Sequence, residues 1–308
     1  MSRLSPSNAI GASIVAGCGL LTAAGLALSA ADQPLVWLAG QIVLAIALLQ
    51  WFVVLHEAGH FTLFASRACN VVAGHLAGFL ALIPFESWRR VHGLHHRWTG
   101  WQDLDPTTAS LVPRPLKPAE RFIIDWAWRL WLPLFSTLYR LNNYWHLPRI
   151  SRLFAAAKAR RAMAINALWL AAAYGALALA LGPSELLRYV GLAVLLSLAL
   201  QDPLILSQHT HLPQNVSGGR EVAPFRPAEQ ERYTRSLRFP RWIAAGVLFN
   251  FDAHELHHGQ AHVPGYRLRN LAQRQDNEVH WWTWLRAAKR LPGSVFLFSN
   301  RDATGFKL

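Results

Sequence analysis

Eight of the fourteen histidines fall into three tight groups: His56 with His60, then His92, His95 and His96, then His254, His257 and His258. Neutral imidazole is the commonest side-chain metal ligand. One tetrahedral zinc takes four ligands, so eight imidazoles brought together point to two transition-metal ions. The chain is otherwise 53% hydrophobic and 15% charged, and such a scaffold has no other use for so many polar rings.

Spacing sharpens the reading. Residues 50–60 read QWFVVLHEAGH, so an apolar helix can run straight into His56 and His60. At i and i+4 both rings lie on one helical face, where they can reach a common ion, and Gly59 leaves room beside them for a close neighbour. HEAGH also fits the HExxH pattern of zinc proteases, with Glu57 as general base; five residues alone do not separate the two chemistries. HGLHH at residues 92–96 and HELHH at 254–258 share the spacing i, i+3, i+4, and they recur 162 residues apart. In QHTHLP, residues 208–213, His209 and His211 are two apart and cannot share one side of a helix. His209 is the expected additional ligand, with His211 supporting it from behind.

A carboxylate or amide can hold the distal ring nitrogen of a ligating histidine and fix its tautomer. Glu57 and Asp105 are the candidates beside the boxes. For these two, as for Asp103, Asp252 and Glu255, a cap or surface role reads equally well, and Asp105 before Pro106 also fits a plain turn. His75, His146, His262 and His280 stand outside the groups. Cys18 and Cys69 offer neither a disulfide framework nor a thiolate site.

Four apolar runs must position these residues: 9–30, 35–55, 162–181 and 187–206. Each reaches the ~20 residues of helix that cross a ~30 Å hydrocarbon layer. The turns at 32–34 and 182–184 are too short for anything but hairpins. The expected fold is an all-α integral membrane protein, with four transmembrane helices as two hairpins. A helical cap, built from segments 56–161 and 207–308, carries every histidine on one face of the bilayer and completes a single domain over 1–308.

The net charge is +13, and of the 30 Lys and Arg only Arg188 falls at the opposite face; the others, Arg3 included, lie on the histidine side. That side is cytoplasmic by the positive-inside rule, at the inner membrane if the source is bacterial. The positive charge suits anionic lipid headgroups; no recognition fold for nucleic acid is apparent. The first run is too long for a signal peptide and reads as a retained helix. Residues 71–84 are apolar but short, an interfacial or re-entrant piece. Residues 122–139 and 242–251 carry the tryptophans of an interfacial belt. The spans are nearly free of ionisable groups apart from Asp202, which argues against a transporter.

Boxes HxxxH, HxxHH and HxxHH, in that order and separated by pairs of spans, resemble the integral membrane fatty acid desaturase superfamily. The run LIPFESWRRVHGLHHRWTGWQDLDPTT is similar to the family's second-box region. QHTHLP resembles its acyl-lipid delta-12 or omega-6 branch, and NFDAHELHHGQAHVPGYRL its third-box ending. The resemblance covers the chain from the first span to about Leu271. It implies a non-haem diiron centre that uses O2 to attack an unactivated C–H bond, with His56, His60, His92, His95, His96, His254, His257 and His258 as iron ligands and His209 as the additional one; Asn250, four residues before His254, is similar to the asparagine some relatives carry ahead of a histidine box, as a group behind a ligand or bridged to the centre by water. It also implies a separate electron donor, ferredoxin or a cytochrome b5-type protein with its reductase, since no haem or iron–sulfur domain is evident.

The sequence departs from the acyl-lipid pattern in the small and apolar interior of HGLHH, where a basic pair is common, in Glu255-Leu256, and in a compact middle segment. The expected reaction is insertion of a double bond into a fatty acyl chain entering from the bilayer. A hydroxylase or ketolase of the same architecture, acting on a hydrocarbon, fatty acid or carotenoid, is the alternative. An intramembrane zinc protease built on HEAGH is a more distant one.

Overall fold

The computed structural model describes residues 4–271 and 275–308; Arg3 lies outside the described residues. The chain is mostly helical. Its helices are α1 (Asn8–Ser29), α2 (Pro34–Gly59), α3 (Arg67–Leu80), α4 (Phe85–Trp98), α5 (Pro118–Arg129), α6 (Leu134–Arg140), α7 (Leu147–Arg152) and α8 (Ala157–Leu181). There follow α9 (Pro183–Leu186), α10 (Leu192–His209), α11 (Arg241–Gly246), α12 (His254–Gly259), α13 (Gly265–Leu268), α14 (Trp281–Ala288), α15 (Gly293–Phe298) and α16 (Arg301–Thr304). The strands described are β1 (Leu237–Arg238) and β2 (Val279–His280), a short parallel pair.

Four helices are long and apolar enough to cross a membrane: Asn8–Ser29, Pro34–Gly59, Ala157–Leu181 and Pro183–His209, the last joining α9 to α10 through a π-helical turn at Leu187–Gly191. The all-α membrane fold expected from the sequence is therefore what the structure shows. The observed helices overrun the expected bounds: α2 carries His56 inside its last turn, and α8 begins at Ala157. The apolar piece at 71–84 is α3, which ends in a break of four residues before α4.

The chain forms two compact units, Met1–Arg89 with Arg140–Leu200, and Arg90–Tyr139 with Gln201–Leu308. In the first, α1 and α2 close on each other through glycine. A Cβ on Gly40 would stand 2.5 Å from the backbone nitrogen of Ser29, and one on Gly25 would stand 2.9 Å from Leu44. Small residues permit such close backbone approach where lipid gives helices no hydrophobic drive to associate.

Gln41 solves a second problem in the same unit. The π-turn disturbs the regular i→i−4 pattern, and a polar group left bare in an apolar surrounding is costly. The buried Gln41 side chain donates to the Tyr189 carbonyl (2.8 Å) and to Ser29 Oγ (2.8 Å), and its oxygen accepts from the Ala193 amide (2.9 Å).

The second unit has its own apolar core of Trp128, Leu206, Leu237, Trp284, Leu285, Ala288 and Phe296. Trp128 and Phe296 stack with ring centroids 4.8 Å apart. The C-terminal tail, silent in sequence, thus supplies four of these residues through α14 and α15. On α5 and just beyond it, Phe122, Ile123, Trp126, Leu130, Trp131 and Leu132 are exposed, as an interfacial segment requires.

Candidate metal centre

The first box sits at the end of α2 in the first unit. His56 and His60 have ring centroids 4.8 Å apart, the stacking expected of i and i+4. Helix α2 closes with Thr62 N–H donating to the Glu57 carbonyl (3.0 Å) and Phe61 N–H to that of Ala58 (3.1 Å). This is a Schellman stop, in which the left-handed position is normally glycine; here it is Phe61, at φ 61°. Gly59 makes the room its place in HEAGH suggested. A Cβ there would fall 2.2 Å from the Trp88 indole, whose ring packs edge-on against His56 at 5.5 Å. Glu57 Oε1 lies 3.2 Å from His56 Nδ1, while Oε2 accepts from Thr62 Oγ1 at 2.9 Å.

The second unit brings together the second box on α4, the third on α12, and His209 at the end of α10. One ring nitrogen from each of His95, His209, His254 and His258 lies within 4.8 Å of all the others. His254 Nε2 is 2.8 Å from His209 Nε2 and 3.1 Å from His258 Nε2. A second run is formed by His92, His96 and His257, with 3.1 Å between the Nε2 atoms of His92 and His96 and again between those of His96 and His257. His96 also stacks on His258, ring centroids 4.3 Å apart.

The outer nitrogens fix which way these rings present themselves. His95 Nδ1 is 2.7 Å from Asp105 Oδ2, His258 Nδ1 is 2.9 Å from Gln230 Oε1, and His209 Nδ1 is 3.2 Å from the Tyr233 carbonyl. All three partners are acceptors, so each Nδ1 carries the proton and each Nε2 turns a lone pair inward. His254 has at most one Nε2 proton to offer to its two neighbours. A single cation satisfies all of them together, and four imidazoles suit a first-row transition metal. The donor set therefore fits a metal ion.

Electrostatics agree. Burial pushes the Asp105 carboxyl upward, but its interaction with His95 and the Thr107 amide outweighs this and holds Asp105 below the usual carboxylate range. Burial, and then the neighbouring His96 and His254, drive His258 well below the ordinary imidazole value. It is thus kept neutral, the form that binds metal.

Other expected residues go elsewhere. Asn250 Nδ2 donates to the Gly265 carbonyl at 3.0 Å, bracing the turn before α12 from a left-handed backbone. His211, also left-handed, meets Thr304 Oγ1 at 2.6 Å and is outside the four-histidine set. Asp103 anchors Ser217, and Asp252 pairs with Arg269. Glu255 accepts from the Asn277 amide at 2.8 Å, and burial pushes its carboxyl up to about 7. His75, His146, His262 and His280 are exposed.

Sequence reasoning missed Gln230, the Tyr233 carbonyl, Thr107 and Arg235. The first two belong to one 3-10 segment, Pro227–Tyr233. Arg235 is buried and donates to the carbonyls of Ser207 (2.7 Å), Thr210 (3.1 Å) and His211 (3.3 Å), closing the end of the helix that carries His209. None of these has a fixed spacing from a histidine box, so no pattern in the chain marks them.

The family model for fatty acid desaturase matches residues 32–285. This chain belongs to the fatty acid desaturase family. Among curated proteins it is 27% identical over 273 residues to a probable fatty acid desaturase of Sorghum bicolor, covering 83% of this chain and 67% of that one. It is 36% identical over 73 residues to an sn-1 oleoyl-lipid 12-desaturase of Picosynechococcus, covering 24% of this chain and 21% of that one. It is 26% identical over 231 residues to a chloroplastic, ferredoxin-type sn-2 acyl-lipid omega-3 desaturase of Helianthus annuus, covering 70% and 50%. The matches thus span from about a fifth to two thirds of these relatives' own length.

Proposed function

We propose that this desaturase-family chain is a membrane-bound, non-haem diiron oxidoreductase that inserts a double bond into a fatty acyl chain. The observation that carries the proposal is the set of His95, His209, His254 and His258, in which acceptors hold the outer nitrogens of His95, His209 and His258 so that their bare nitrogens face one point. Family membership selects iron among the metals that four imidazoles accept. The eight box histidines and His209 are the proposed iron ligands, serving one desaturase domain over the whole chain, with Asp105 and Glu57 holding His95 and His56 from outside.

Bound iron would supply the activation of O2 needed to break an unactivated C–H bond. The reaction balances as one CH2–CH2 unit, one O2, two electrons and two protons giving CH=CH and two waters. The residues of the chain orient and shield. Asp105, Gln230 and the Tyr233 carbonyl keep the rings in one tautomer, so none rotates away to find another partner. The apolar residues around α12, Phe251, Ala253 and Leu256, are buried and keep bulk water from the imidazoles. An acyl lipid is the proposed substrate, and a ferredoxin or cytochrome b5-type protein the proposed electron source; one relative's name specifies ferredoxin. The histidine side is proposed to be cytoplasmic, from the distribution of Lys and Arg.

Metal analysis of protein purified from iron-replete cells, joined to lipid mass spectrometry of cells with and without the chain, tests the proposal. Two irons per chain and an acyl product lighter by two hydrogens support it. A product heavier by one oxygen, about sixteen mass units, replaces it with a hydroxylase or ketolase; a single zinc ends it.

A further inference from the structure

Gln230 is buried, 2% exposed, and is bonded at both ends of its amide. Its nitrogen donates to the His96 carbonyl at 2.7 Å and, more weakly, to that of Phe225 at 3.3 Å. With two carbonyls on that side, the amide has only one orientation, and Oε1 is left to accept from His258 Nδ1 at 2.9 Å. One side chain therefore touches the backbone of the second histidine box and the ring of the third.

We propose that Gln230 is a positioning residue for the metal centre: its oxygen fixes the Nδ1–H tautomer of His258, turning Nε2 to the metal, and its nitrogen locks that oxygen to the second box. The inference rests on the metal reading above. Within one ligand set the rings are backed unequally, His95 by the carboxylate of Asp105, His258 by a neutral amide and His209 by a neutral carbonyl. A carboxylate partner makes a ring a stronger donor, whereas a neutral amide orients the ring and adds no charge. Without Gln230, the His258 ring would be free to take the other tautomer, with its proton on the nitrogen that must bind metal.

The test uses the full chain in nanodiscs, stripped with a chelator and titrated anaerobically with Fe(II), and with Co(II) as a spectroscopic probe. Gln230→Met keeps the volume and removes the oxygen; Gln230→Glu keeps an oxygen at Nδ1. For Gln230→Met, affinity for one ion of the pair is expected to fall about ten- to hundredfold, with an altered Co(II) ligand-field spectrum and little change in the metal-free Tm. Gln230→Glu keeps the oxygen at Nδ1 but loses the nitrogen's hold on the His96 carbonyl, so it is expected to restore affinity and spectrum in part, to within about tenfold of wild type. A Met variant that loads and absorbs like wild type overturns the inference alone, as does a Glu variant that loads as poorly as Met. If the Met variant does not fold, the Glu variant decides, a loss of about tenfold or more overturning the proposal. A wild-type protein that takes up no ion overturns the metal reading itself, and this inference with it.

Discussion

Oδ2 of Asp105 lies 2.7 Å from Nδ1 of His95, and both side chains are almost wholly buried. Oδ1 of the same carboxylate accepts from the amide and the hydroxyl of Thr107, each at 2.8 Å. Asp105→Ala therefore strips His95 of its carboxylate partner, leaves the Thr107 hydroxyl, 3.1 Å from Nδ1, to take its place, and deprives the Thr107 amide of its acceptor. Metal affinity is expected to fall about ten- to hundredfold, with Asp105→Asn, an acceptor without charge, in between. Equilibrium titration of the apo-protein with Fe(II) reads the effect; unchanged affinity in the alanine variant would refute the pairing.

Gly59 has no room for a side chain, because the Trp88 indole fills the space where a Cβ would stand. Gly59→Val is expected to cost about 1–3 kcal/mol through overpacking. Trp88→Ala combined with it should return part of that loss, since the two changes share one contact. Thermal unfolding in detergent for the four proteins of the cycle measures this; strict additivity would rule out the contact.

Gln41 satisfies a backbone carbonyl within the π-turn at Leu187–Gly191 and a backbone amide just after it. Gln41→Leu leaves the Ala193 amide and the Tyr189 carbonyl without this partner in an apolar setting. A loss of about 1–3 kcal/mol is expected, read as lower thermal stability with the metal stoichiometry preserved. Wild-type stability in the leucine variant would show that water or lipid replaces the glutamine.

Lys289 lies over the Trp128 ring, 3.7 Å from its centroid, and donates to the Trp128 carbonyl. Burial pushes its ammonium down from 10.5 to about 8, against the opposing pull of Asp202. Between those values the unfolded chain binds a proton that the folded chain does not, so this group adds stability as pH rises from about 8 to about 10.5. Relative to Lys289→Met, the wild-type Tm is therefore expected to gain across that window. A difference between the two proteins that does not change with pH would contradict it.

The elements that position the centre were legible because hydrophobic run length and histidine spacing are local signals. The four spans appear within a few residues of their expected bounds, and HEAGH lies on the helix that an unbroken apolar run into His56 requires. His209 stood out by following the fourth span, and Asp105 by following the second box. Gln230 and Arg235 were invisible for a different reason. Gln230 meets the His96 carbonyl across 134 residues, and a glutamine inside PAEQERY carries no mark of that partner. The tail was silent likewise: Trp284, Ala288 and Phe296 enter a core with Trp128, a partnership that follows from tertiary packing and from no periodicity.

Phe61 follows the first box, His211 follows His209, and Phe249 with Asn250 precedes the third, and all four hold the left-handed backbone that suits glycine. Each bends the main chain within a few residues of a box or of His209, at a cost of roughly 1–3 kcal/mol for a residue such as Phe61 and less for Asn250, whose type adopts this backbone readily. The protein thus keeps its imidazoles aimed by holding nearby joints in uncomfortable poses. Glycine at Phe61 or Phe249 would relieve the discomfort at the expense of aim, whereas at His211 and Asn250 it would also delete the contacts with Thr304 and Gly265, so heat tolerance and catalytic alignment pull against each other at the first two joints.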